Sequence, residues 1–114
     1  MSCDAMLQAA LETLGPPVFP NVYTGTAVEY LVTNFTVVPE IFAEEISNAA
    51  RYLIQVHYYL PPKKNPNAML ESVSVALSRA GCTCPEIVPA HEKEKQHYVL
   101  ECEYCDGGFD YGGD

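Results

Sequence analysis

The chain has 114 residues and a mass of 12.6 kDa, enough for one domain burying roughly 65% of the surface its unfolded form exposes, and too few for two independent domains. Hydrophobic residues at 48% against charged residues at 18% exclude a disordered chain, and no apolar run approaches the roughly 20 residues a membrane-spanning helix needs. Fifteen acidic residues against six basic ones set the net charge at −9, which disfavours a reader of phosphate backbones or a binder of anionic lipid.

The first element is a short helix, because Met6, Leu7, Ala10, Leu11 and Leu14 fall on one stripe at helical spacing and Asp4 or Ser2 can cap its start. Gly15 followed by Pro16 and Pro17 stops it: a residue tolerant of positive φ precedes two that cannot continue a helix. Residues 18–23 read as an extended edge, since Pro17 and Pro20 lack the donors of a central strand. Thr24, Gly25 and Thr26 give a turn. Val28, Tyr30 and Val32 alternate with Glu29 and Leu31 as a strand, and the shift of apolar positions to Phe35 and Val37 predicts a bulge at Thr33-Asn34. Residues 39–48 place Glu40, Glu44 and Glu45 around Ile41, Phe42 and Ile46; the pattern fits a helical turn or a projecting hairpin arm and leaves both open.

Residues 50–60 form the clearest strand, with Tyr52, Ile54, Val56, Tyr58 and Leu60 on a core face and Arg51, Gln55, His57 and Tyr59 on the other. Pro61 to Lys64 breaks it. Asn65 or Asn67 with Pro66 starts a second helix, whose stripe of Met69, Leu70, Val73, Ala76, Leu77 and Ala80 ends at Gly81. A short strand over residues 84–88 and a longer one over residues 96–104 pair as a hairpin across the polar segment 91–95. In the long strand Tyr98, Leu100, Cys102 and Tyr104 share one face, His97, Val99, Glu101 and Glu103 the other. The predicted fold is α+β: an antiparallel sheet of about four to five strands with two helices packed on one face, in the order α-β-β-β-α-β-β. One domain spans residues 1–105, and residues 106–114, acidic and rich in glycine pairs, read as a flexible tail.

Chemistry-bearing residues are few. Cys82-x-Cys84 and Cys102-x-x-Cys105, with His91 and His97 between them, are the candidates for a zinc site, but alternation puts Cys102 among Tyr98, Leu100 and Tyr104, where a thiol packs as a small hydrophobe. His97 cannot serve Cys102 as a base, because strand residues five apart point to opposite faces. Glu101 and Glu103 share a face roughly 7 Å apart, yet nothing apolar or cationic is placed to drive their pKa values apart, as acid–base catalysis requires. No nucleophile elbow, phosphate-binding glycine loop or His-Glu-x-x-His helix is present. The residue pattern therefore predicts no catalytic group, no metal and no cofactor. Asn34-Phe35-Thr36 fits a glycan acceptor, which carries meaning only on a secreted chain. The N-terminus lacks a basic stretch followed by an apolar block and a cleavage site, so the expectation is a soluble protein made inside a cell, with five free thiols. Of the eight tyrosines, Tyr59 on the outer face beside His57 is the one expected at an intersubunit contact.

The stretch Tyr52-Leu53-Ile54-Gln55-Val56-His57-Tyr58-Tyr59-Leu60-Pro61, the helix end Ser78-Arg79-Ala80-Gly81, and the hairpin of Pro85-Glu86-Ile87-Val88 with residues 97–104 together resemble the tail-terminator or tail-completion proteins of long-tailed bacteriophages and prophages. The opening Leu11-Glu12-Thr13-Leu14-Gly15 and the Tyr23-x-Gly25 turn extend the likeness over about residues 4–105. The resemblance implies a virion structural protein without enzymatic activity: a ring, usually a hexamer, at the head-proximal end of the tail, assembled in the bacterial cytoplasm. Its implied partners are further copies of itself, the tail tube protein and the head–tail connector, with DNA passing through the bore without specific binding and no membrane contact. Under that reading Ile41, Phe42, Glu44, Glu45, Ile46 and Tyr59 are candidate interface residues, and Glu101 and Glu103 candidate lumen residues whose charge repels DNA. Another neck or minor tail protein, or a small zinc-stabilised binding module, are the alternatives.

Overall fold

The computed structural model describes residues 2–39 and 50–106. Among them lie helix α1 (Cys3–Leu11) with a 3₁₀ turn (Glu12–Leu14), strands β1 (Val18–Pro20), β2 (Tyr30–Pro39) and β3 (Ala50–Leu60), helix α2 (Asn67–Arg79), and strands β4 (Glu86–Pro89) and β5 (Gln96–Asp106). The element order is the predicted α-β-β-β-α-β-β, and the fold is α+β. The candidate interface residues Ile41, Phe42, Glu44, Glu45 and Ile46, and the alternatives for segment 39–48, fall on residues 40–49, outside the described residues. So does the expected tail beyond Asp106, although β5 itself takes in the first residue assigned to that tail.

Ser2 rather than Asp4 is the cap of α1, its hydroxyl accepting from the Ala5 amide at 3.1 Å. Both helical segments end where the sequence places glycine: Gly15 takes φ 120° and Gly81 φ 102°. A Cβ at Gly81 would also stand 3.3 Å from the Tyr104 ring. Gly81→Ala is therefore expected to cost about 1–3 kcal/mol, read as a lower denaturation midpoint at unchanged slope.

The five strands form one sheet in the order β1-β2-β3-β5-β4. Its three long strands pair antiparallel over their full lengths, β3 lying between β2 and β5. The exception is β1, three residues long and parallel to β2. Both edges are short and bear proline, Pro20 on β1 and Pro89 on β4, which blunts them against pairing with another chain. The predicted bulge at Thr33-Asn34 is absent. β2 runs in continuous register from Tyr30 opposite Tyr59 to Pro39 opposite Ala50, so Leu31, Thr33 and Phe35 follow one another on the helix side. The apolar shift that suggested a bulge arises because Tyr30 and Val32 belong to the other face, which carries large side chains of its own.

The core lies between that sheet and the two helices. Leu7 and Leu11 of α1, Val73 and Leu77 of α2, Leu31 of β2, Val56, Tyr58 and Leu60 of β3 and Leu100 of β5 are fully buried, the inward set that alternation predicts for β3 and β5. Tyr58 keeps its hydroxyl satisfied by donating to the Glu29 carboxylate, which Lys64 also reaches at 2.6 Å. Burial, and then that carboxylate, push the phenol well above its ordinary range. Burial alone would raise Glu29 as well; the hydrogen bonds from Lys64 and Tyr58 outweigh it and hold the carboxyl below the usual carboxylate value.

Candidate functional site

Among the described residues both helices lie on one side and no helix covers the opposite face of the sheet, and the side chains there are not those of a merely solvated surface. The β2–β3–β5 register sets Tyr30 opposite Tyr59 and Tyr59 opposite His97. Their rings stack in a row across three strands: Tyr30 to Tyr59 with centroids 4.7 Å apart, Tyr59 to His97 4.1 Å apart, planes within 21° and 15° of parallel. Tyr23, from the loop after β1, extends the row with its centroid 3.9 Å from Tyr30, and Phe19 meets Tyr23 edge-on at 4.7 Å. Lys95 lies along the row, its Nζ donating to the Tyr30 hydroxyl at 2.9 Å and standing 4.8 Å from the Tyr59 ring centre. That hydrogen bond raises the Lys95 pKa, while burial and then the Glu92 carboxylate raise that of Tyr59.

Below the row a polar chain crosses the strands. His57 Nδ1 and His97 Nε2 are 2.7 Å apart, His57 Nε2 is 3.2 Å from Gln55 Oε1, and Gln55 Nε2 donates to Glu101 at 2.8 Å. The Gln55 amide turns its NH₂ to the Glu101 carboxylate and its oxygen to His57 Nε2. Burial, then the neighbouring imidazole, lower the His57 pKa against the pull of Glu101. Burial likewise lowers His97, against the opposing effects of the Ala90 backbone and Glu92. His97 is only 8% exposed. His91 is exposed, its Nδ1 accepting from the His97 amide at 3.2 Å.

The candidate residues divide between the two sides of the sheet. Tyr59 is half-buried at the centre of the ring row, on the face where it was expected. Glu101 and Glu103 share that face; Glu101 takes the Gln55 hydrogen bond and Glu103 lies 3.9 Å from Arg51. Cys102 is on the helix side, buried with Cys82, to which it hydrogen-bonds; that bond, and then burial, push the Cys102 thiol far up, so it stays protonated as packing. Cys84 and Cys105 are exposed, and among the described residues no group of three or more His, Cys, Asp or Glu side chains gathers as metal ligands. His97 and Cys102 are separated by the sheet, as alternation requires. The ring row and the His57–His97 pair were not read from the sequence. Alternation placed His57, Tyr59 and His97 on outward faces, but only the pairing of β3 with β5 at this register makes neighbours of residues 40 positions apart.

Among the described residues this face carries stacked rings, a hydrogen-bonded polar chain and surface carboxylates. Tyr and His rings supply rigid, amphipathic contact area, and the carboxylates set its charge. No family model matches the chain. No curated protein matches it either. Eleven chains of solved structures do; one superposes with a TM-score of 0.59 at 15% identity, over 92% of this chain and 96% of its own length, a likeness of fold.

Proposed function

We propose that the chain is a structural, non-enzymatic protein of a phage tail, a terminator whose copies form a ring, in the hexameric form usual for such proteins, on the head-proximal end of the tail tube and join it to the head connector. One observation carries the reading: the helices cover one face of the sheet, proline blunts both edges, and the remaining face bears the aromatic row and the carboxylates of Glu101 and Glu103. A fold whose outward features are contact features fits a part that acts by assembling. In this reading Tyr59 belongs to a subunit contact, and Glu101 and Glu103 face a bore through which DNA slides without specific binding, repelled by carboxylates. The protein acts in the virion, after assembly in the bacterial cytoplasm, and needs neither cofactor nor membrane.

The test is direct. Purified protein mixed with tail tubes is expected to appear by electron microscopy as a disc on one end of each tube and to stop further tube growth. Discs absent from the ends, or found along the neck instead, overturn the terminator assignment. Reversing Glu101 and Glu103 to lysine is expected to leave ring assembly intact and slow DNA ejection; unchanged ejection removes them from the bore.

A further inference from the structure

On the helix side of the sheet, where the chain leaves α2 and enters the β4–β5 hairpin, two buried thiols meet. Cys82 is 8% exposed and Cys102 7%, and both belong to the core cluster under the helices. Their sulfurs are close enough to hydrogen-bond, Cys102 donating to Cys82. The backbone fixes this approach from both flanks of Cys82. On one side Gly81 lies against the Tyr104 ring and turns the chain at φ 102°, and the Cys82 amide donates to the Leu77 carbonyl at 3.0 Å. On the other side the Thr83 amide donates to the Glu103 carbonyl at 2.9 Å, and the Glu103 amide donates back to the Thr83 hydroxyl at 2.9 Å. Cys82, between two residues that touch β5 next to Cys102, is held over that same stretch of strand.

A thiol pair does more than fill space when one sulfur ionises readily beside the other. The hydrogen bond from Cys102 holds the Cys82 thiol below its ordinary value against the opposing effect of burial, while the same bond, and then burial, push Cys102 far up. The two divide into a sulfur that attacks and a sulfur that resolves. Cys3 lies in the same cluster and is the competing partner, but the Cys102 hydrogen bond runs to Cys82.

We propose that Cys82 and Cys102 are an oxidation site for small hydroperoxides, closing a disulfide that ties the end of α2 to β5. With hydrogen peroxide, the Cys82 thiolate attacks one oxygen and the O–O bond breaks; Cys82 becomes a sulfenic acid, and the other oxygen leaves as hydroxide, which takes up the proton Cys82 had lost. The Cys102 sulfur then attacks the sulfenic sulfur. An S–S bond forms, the S–O bond breaks, and the departing hydroxide takes the Cys102 proton as water. Two thiols and one peroxide thus give one disulfide and two waters, the sulfurs losing the two electrons that the O–O bond gains. A hydroperoxide little larger than water suits a sulfur with so small an opening. The bond encloses residues 82–102, β4 and the hairpin turn included, and so restricts the unfolded chain. The latch does not depend on ring assembly.

The test uses the full chain with Cys84→Ser and Cys105→Ser, which removes the exposed thiols and leaves Cys3, Cys82 and Cys102. Folded protein is treated with hydrogen peroxide, remaining thiols are blocked, and the chain is digested with trypsin without reductant. Cleavage after Arg79, Lys93 and Lys95 separates the two cysteines, so the expected product is residues 80–93 joined to residues 96–114. Dithiothreitol is expected to part them, and oxidised protein to melt several degrees above reduced protein. In the same background, Cys102→Ser is expected to leave Cys82 as a sulfenic acid that dimedone labels, and Cys82→Ser to leave Cys102 unlabelled. A disulfide through Cys3, no disulfide in folded protein, or a joined pair that leaves the melting temperature unchanged or lower overturns the inference. So does a label on Cys102 in place of Cys82. The digest keeps all three buried thiols, so it decides the case even where a serine variant at Cys82 or Cys102 fails to fold.

Discussion

Leu100→Ala is expected to lower the unfolding free energy by about 2–5 kcal/mol, the largest stability effect of any substitution considered for this chain. Leu100 is fully buried in the middle of β5, directly opposite Val56 of β3, which is fully buried as well, and it sits in the cluster that Leu7, Leu11, Val73 and Leu77 complete from the helices. Removing three carbons there loses their transfer energy and leaves a cavity between two layers that cannot close independently, since the strand is paired on both sides. Urea denaturation monitored by circular dichroism checks it: the midpoint falls while the slope holds. Val88→Ala, on the short edge strand β4 and 42% exposed, is the control and is expected to change stability by less than about 0.5 kcal/mol. Equal losses at the two positions would mean that the sheet does not bury its even-numbered β5 side chains against the helices.

The second large effect is a loss of stability on mild acidification, centred on His57 and His97. Unfolded, each imidazole takes up a proton near its ordinary value of about 6.5. Folded, both take it up at lower pH, chiefly because they are buried, and a second proton on the pair would set two N–H groups facing each other across 2.7 Å. Between the two values the unfolded chain binds more protons, so stability falls as pH drops below about 6.5 and is retained above it. Glu101, Glu92, Lys95, His91 and Tyr59 face the pair and set the size of the effect. The double variant His57→Asn with His97→Gln keeps amide groups near the Nδ1 and Nε2 positions and removes the titration. The wild-type melting temperature is expected to fall by several degrees more than that of the variant between about pH 7.5 and pH 5.5; parallel curves would show that the pair does not resist protonation.

Two-residue periodicity is robust where a strand has one buried face, and it read β3 to its ends and the inward face of β5, including the placement of Cys102 among apolar residues away from His97. Helical spacing, with a glycine after each stripe, likewise read α1 and α2. It failed at Thr33-Asn34 for a physical reason: an alternation argument assumes that the outer face is polar, and here the outer face carries Tyr30, Tyr59 and Val32. Large side chains on both sides of β2 erase the contrast that periodicity depends on, and a register shift then looks necessary where the strand in fact runs straight.

Local pattern thus determined what each element is and which side of it turns inward, because those choices depend on neighbours within a few residues along the chain. Only the tertiary structure decided which strands lie side by side and at what register. The order adopted, β1-β2-β3-β5-β4, rests on contacts between residues far apart along the chain, which local pattern does not specify. From that order follow the row of rings from Tyr23 to His97 and the hydrogen bond between His57 and His97, each built from residues that sequence distance keeps apart.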